Sequence, residues 1–294
     1  LSRKWPYDEL ITNISSFGYN TISYSIYIDC YTNDTDCYKT GYIQQYDNNS
    51  AIPTYFSSTR GQAYALRYDR HKEVAQALEP TIQNQGQKGI FLDTVAANLP
   101  WKYIDMNGTI NQGANTSYLF NIENQIDLLN YLQFLYNGPV LTEGVNPLFW
   151  IGDIDSIEGS TSFLNSENDN LIVDLDLMIF HPKTVMYGGY YRRFFNGANN
   201  DATFQGINSN NYDKYMATHI AYGHLGFIDS TASWLHNVPD NLVVRYYYLT
   251  KALQKEYASY NATNISYYSN NQWKSLSDSL RDNYNFVNAQ VRVL

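Results

Sequence analysis

A β/α barrel of the eight-stranded type is the fold this sequence predicts, on three observations. Two short apolar runs each end on a carboxylate: residues 89–95 (GIFLDTV) and 138–144 (GPVLTEG). Each follows a segment with helical periodicity, residues 70–79 (RHKEVAQALE) and 122–135 (IENQIDLLNYLQFL). Helix, buried strand, loop, helix, buried strand is how a parallel α/β array reads, because its strands are covered on both faces. The third observation is length. The chain has 294 residues, and a closed barrel takes roughly 250.

The elements follow in order. Residues 6–17 (PYDELITNISSF) predict a short amphipathic helix stopped by Gly18. Residues 21–28 (TISYSIYI) are β-branched and aromatic, and predict a strand ending on Asp29. The polar stretch from Cys30 to Tyr68 reads as a long binding or lid loop, and so does 96–121, which carries Trp101. Residues 152–159 (GDIDSIEG) read as a loop with three acids. A further strand is expected at 175–180, ending on His181, and an amphipathic helix at 242–257. Segment 217–224 reads as either a helix end or a strand. From Ile265 the alternation becomes antiparallel, and the last residue falls mid-strand. Five or six barrel strands precede residue 240. The expectation is therefore a barrel over 1–262 that lacks its N-terminal strands, then the start of a β domain at 263–294, within a longer protein.

Composition narrows the function. Lys and Arg number 19 against 28 Asp and Glu, a net charge of -9. Nucleic-acid binding needs clustered cations, so it is not expected. A mean hydropathy of -0.43, with no long apolar run, predicts no membrane span in this segment. Tyrosines number 29, and tyrosine pairs an apolar face with a polar tip, which suits sugar rings. Cys30 and Cys37 predict a disulfide, and with it an oxidising compartment. Sequons begin at Asn13, Asn33, Asn48, Asn107, Asn115, Asn261 and Asn264. A secreted or cell-surface glycoprotein is the expectation.

The chemistry rests on Asp93 and Glu143. In a parallel array the C-terminal strand ends share one face, where ligands gather. Two acids delivered there match what glycosidic-bond cleavage needs: a carboxylate against the sugar carbon and an acid on the leaving oxygen. Asp29, Trp101, Trp150, Asp155, Glu158, His181 and Tyr222 are the candidates for binding hydroxyls and stacking on an oligosaccharide or glycoconjugate. His219 and His224 are badly spaced for a shared metal. The chain has no His-Glu-X-X-His, no Gly-X-Ser-X-Gly, no P-loop and no Gly-X-Gly-X-X-Gly. No metal or cofactor is expected.

The series 91–97 (FLDTVAA), 138–144 (GPVLTEG), 155–159 (DSIEG), 179–181 (IFH) and 221–223 (AYG) resembles the barrel of retaining α-glycosidases related to glycoside hydrolase families 101 and 129. The resemblance covers roughly residues 20–260. It implies Asp93 as nucleophile and Glu143 as acid/base. It also implies that His181 contacts substrate, although Pro182 stands where an acid often follows. A β-sandwich after the barrel is implied as well, while the sugar does not carry over. The competing reading is a non-catalytic cell-surface, filament or carbohydrate-binding protein on a glycosidase-like barrel, since folds outlive functions.

Overall fold

The computed structural model describes residues 7–107, 117–144, 149–159, 179–187, 223, 225, 240–282 and 290–294. The chain divides into two compact units, Leu1–Asp155 and Ser156–Leu294. The first contains α1 (Tyr7–Ser16), β1 (Ser23–Ser25), β2 (Asp29–Tyr31), β3 (Pro53–Ser57), β4 (Gly61–Ala65), α2 (Tyr68–Gln83), β5 (Ile90–Leu92), α3 (Tyr118–Tyr136) and β6 (Val140–Gly144). The second contains β7 (Ser156–Gly159), β8 (Val185–Tyr187), α4 (Asp240–Tyr257), β9 (Ile265–Ser269), β10 (Gln272–Ser275), α5 (Leu276–Arg281) and β11 (Gln290–Val293). In the first unit β1, β5 and β6 form a parallel barrel-type sheet in the order β1-β5-β6, and in the second unit β7 and β8 pair in parallel.

In the first unit the register Ser23↔Ile90↔Val140 and Ser25↔Leu92↔Thr142 assigns those residues to one face. Ile90, Leu92, Val140 and Thr142 are fully buried there, and α2 and α3 meet this face through Glu79 and Tyr136. Tyr24, Phe91 and Leu141 take the opposite face, where the Tyr24 and Phe91 rings stack at 5.9 Å. Gly89 and Gly138 explain how the two strands start so close together. A Cβ at Gly138 would lie 1.9 Å from the Lys88 carbonyl oxygen, and one at Gly89 2.5 Å from that of Pro139. Ser117 caps α3 by accepting from Phe120 N at 3.1 Å, and Asn137 ends it in the left-handed conformation.

Four expectations are corrected. The strand over 21–28 stops at Ser25, because the chain then joins a second sheet: Leu66 N donates to Ile28 O at 3.0 Å, and Asp29 pairs with Ala65. Asp29 therefore opens an antiparallel strand rather than ending a barrel strand. The long loop over 30–68 is instead a folded insertion, a three-stranded antiparallel sheet in the order β2-β4-β3 with Ala63 and Ala65 fully buried. The loop over 152–159 becomes β7 from Ser156, with Ile157 buried in a ladder to β8. Last, His181 precedes its strand. Residues 179–180 are helical, and Lys183 N and Thr184 N both donate to Phe180 O, at 2.8 and 3.0 Å, which turns the chain into β8. Residues 175–178 and 217–222 lie outside the described residues.

In the second unit the antiparallel sheet expected from Ile265 forms, in the order β10-β9-β11 around the fully buried Tyr267. Cys30 and Cys37 are disulfide-bonded with Cα atoms 5.9 Å apart. No described helix is long and apolar enough to cross a membrane.

Candidate active site

Asp93 and Glu143 stand one residue beyond the Leu92↔Thr142 pair, at the C-terminal ends of adjacent parallel strands. The ladder continues through Asp93, whose N–H donates to Ser25 O at 2.9 Å. Both follow the alternation that places Tyr24, Phe91 and Leu141 on the open face of the sheet. Thr142 braces the next turn, with Ala96 N donating to its Oγ1 at 3.3 Å.

The first residue that sequence reasoning missed is Tyr24. Its hydroxyl donates a short hydrogen bond to Asp93 Oδ2. Partial burial holds the Tyr24 phenol well above its ordinary range, reinforced by that bond and by the charges of Asp93, Glu143 and Asp29. The phenol thus stays protonated as a donor, surrounded by three carboxylates. Strict alternation along 21–28 was the signal, since it sets Tyr24 opposite Ser23 and Ser25.

Asp29 reaches the same place from the insertion sheet. Its carboxyl is pushed up by burial and, less, by the charge of Asp93, with a hydrogen bond from Thr54 and then the charge of Lys102 pulling the other way. Lys102 is the second missed residue; its Nζ donates to Asn98 Oδ1 at 2.7 Å. The loop that carries it is well fastened. Asn121 Nδ2 donates to Pro100 O at 2.7 Å and to Tyr103 O at 2.9 Å. Asp105 lies 3.7 Å from the buried Arg67 and accepts from Gln45 N at 3.1 Å. Trp101 stays 49% exposed, edge-on to Tyr118 and Phe149.

Thr94, immediately after Asp93, has φ of 65°. Five described non-glycine residues have positive φ, and the other four are asparagine. A β-branched side chain fits that region poorly. Its Oγ1 is also buried with no hydrogen-bond partner among the described residues. Backbone strain is therefore located beside one of the two acids.

Other expected site residues fall elsewhere. Trp150 is 2% exposed and belongs to the core, so it offers no ring face to a sugar. Asp155 accepts from Val140 N at 2.9 Å and Gln133 Nε2 at 3.3 Å, which fixes it at the start of β6. Glu143 is three residues further on, about 10 Å away at strand rise. Glu158 is on β7 in register with Tyr187, and His181 is buried beside Gly223; both belong to the second unit. Tyr222 and Asn115 lie outside the described residues. Asn107 is 3% exposed, and its Nδ2, the atom a glycan would need, donates to Gln45 and Asn49. It is a buried connector rather than a glycan site. Asn13, Asn33, Asn48, Asn261 and Asn264 are exposed.

No known family profile matches the chain, and no curated protein matches it in sequence. Solved structures do. The α-N-acetylgalactosaminidase NagBb of Bifidobacterium bifidum, in complex with GalNAc, superposes with a TM-score of 0.63 over 88% of this chain at 10% identity. The α-galactosidase of Thermus thermophilus in complex with stachyose gives 0.53 over 83% at 12% identity. The maltogenic α-amylase AmyB of Thermotoga neapolitana gives 0.56 over 89% at 6% identity. The likeness is one of fold. The chain has a glycosidase-barrel fold, and it spans 39%, 52% and 62% of those three chains.

Proposed function

We propose that this protein is a secreted glycoside hydrolase that cleaves α-linked sugars with retention, and that its barrel is related to glycoside hydrolase families 101 and 129. The observation that carries the proposal is the equal register of Asp93 and Glu143 on neighbouring parallel strands. Strands lie about 4.8 Å apart, which lets the two side chains bring their carboxyls within the roughly 5–5.5 Å of a retaining pair. The fold of the three neighbours, each named for acting on such sugars, supports the same reading.

Asp93 attacks the anomeric carbon as Glu143 gives its proton to the leaving oxygen, so one C–O bond forms and the glycosidic C–O bond breaks. Glu143 then takes a proton from water. The resulting hydroxide attacks the same carbon and releases Asp93, with α configuration kept. Asp29 hydrogen-bonds a sugar hydroxyl in this account, and Trp101 offers a stacking face at the rim. Trp150 and Asp155 have no part in it, and neither Glu158 nor His181 is needed. The disulfide and the five exposed sequons support an extracellular location. A separate β domain from about residue 263, within a longer protein, belongs to the same proposal.

The test is a panel of aryl α-glycosides (galacto-, gluco- and N-acetylgalactosamine-configured) followed by proton NMR at early times. The α-anomer is expected to appear first. Glu143→Gln should lose ~10²–10⁴-fold on poor leaving groups and far less on activated ones, as removal of a general acid does. If Asp29→Asn shows that pattern and Glu143→Gln does not, the acid is assigned wrongly. If no member of the panel is hydrolysed, the non-catalytic reading stands instead.

A further inference from the structure

Directly behind β1 lies a second carboxyl that the proposed chemistry does not use. Glu79 of α2 is 0% exposed. Ser25 Oγ donates to its Oε1 at 2.6 Å, Tyr27 donates to the same oxygen, and Tyr136 donates to Oε2. Ser23 Oγ lies 2.9 Å from the Tyr136 hydroxyl, whose proton is already committed to Glu79, so Ser23 is the donor there. Three donors therefore meet one buried carboxyl, and no ion pair to it forms among the described residues. Burial and the Glu79 charge both hold the Tyr27 and Tyr136 phenols above their ordinary range.

The donors are not scattered. Ser25 and Tyr27 are alternate residues of one short segment, and Ser23 joins through Tyr136. Between Ser23 and Ser25 stands Tyr24, which holds Asp93 from the other face. Ser25 also supplies the carbonyl that accepts from Asp93 N. Both fixings of Asp93, one by side chain and one by backbone, thus originate on the three-residue strand that Glu79 ties down. β1 has only β5 as a neighbour in the sheet order, so its outer side has no described strand to hold it.

We infer that Glu79 is a positioning residue for the nucleophile, acting through β1 without touching substrate. This rests on the glycosidase reading for its kinetic consequence but not for its structural one. Loosening β1 weakens the Tyr24 donor, and Asp93 loses the hydrogen bond that orients its carboxylate.

The test is Glu79→Gln, beside Tyr24→Phe and the double variant. Glu79→Gln should lower kcat by ~10-fold with KM nearly unchanged, the split expected when the nucleophile is misplaced and substrate binding is not. Tyr24→Phe should do the same. The double variant should be no worse than the poorer single one, because both act along one path. Additive losses, or a fall in Tm with kcat unmoved, would make Glu79 merely structural. A second readout works without turnover. Amide hydrogen exchange at residues 23–25 and at Asp93 should speed up at least ~10-fold in Glu79→Gln, with α3 unchanged. Ser25→Ala should reproduce it in milder form. Unaltered exchange at Asp93 overturns the inference. An inactive wild-type protein with altered exchange defeats the glycosidase reading alone.

Discussion

Two carboxyls flank the same short strand and are treated in opposite ways. Glu79, behind β1, is sealed from water and receives three hydroxyl donors. Asp93, in front, has one side-chain donor among the described residues, Tyr24, and two other carboxylates near enough to act on that phenol. A buried acid with three of its about four acceptor sites filled is held fast, and its donors hold the backbone in place. An acid with few donors, open to one face, keeps an oxygen free to attack. Alternate residues of β1 serve the two environments, so the strand couples scaffold to site.

That contrast can be broken by exchanging the roles. Asp93→Asn should cost at least ~10⁴-fold in turnover, as loss of a nucleophile does, with little change in Tm. Glu79→Leu should do the reverse first, destabilising by about 3 kcal/mol as buried hydroxyls lose their acceptor. If Asp93→Asn unfolds the chain or leaves turnover intact, the front carboxyl is the structural one.

The helix layer offers a sharper version. His71 is fully buried, with Nδ1 3.2 Å from Gln125 Oε1 and Nε2 3.2 Å from Leu66 O. Burial lowers its pKa from 6.5 to about 4. Between those values the unfolded chain binds a proton that the folded one does not, so stability falls as pH drops through this window. The stabilisation is fully present above pH 6.5. The whole effect approaches about 3 kcal/mol. Denaturant titrations from pH 7 to 4 should show it, and His71→Gln should flatten the curve. An equally steep loss in the variant would place the acid sensitivity elsewhere.

The smallest effect concerns Thr94. Replacement by asparagine, the residue at the other described left-handed non-glycine positions, should stabilise by about 1 kcal/mol, or ~2–3 °C in Tm. A lower Tm would mean that Thr94 is comfortable where it stands, and that the turn after Asp93 stores no strain.

Much of this was legible in the sequence, for physical reasons that differ by element. GIFLD and GPVLTE announced themselves because each is a continuous apolar run of the kind a parallel strand carries, and each stops on an acid. The insertion sheet stayed hidden. β4 is Gly-Gln-Ala-Tyr-Ala and β3 exposes Tyr55 and Phe56, so neither shows strong β-branched alternation. Asp155 was misplaced because a carboxylate near an apolar run looks the same at either end of a strand. Trp150 read as a platform, since sequence cannot distinguish a buried indole from an exposed one. Glu79 gave no signal at all; its meaning depends on Ser25, Tyr27 and Tyr136, which are 52 to 57 residues away.

The most direct measurement is covalent trapping. Treating the protein with α-configured cyclitol epoxides or aziridines of galacto, gluco and N-acetylgalactosamine type, then mapping the label by peptide mass spectrometry, reads the nucleophile itself. The account predicts one label on Asp93, formed more slowly in Glu143→Gln and absent in Asp93→Asn. A label on Glu143 or Asp29, or turnover of the panel substrates with no label at Asp93, would contradict it.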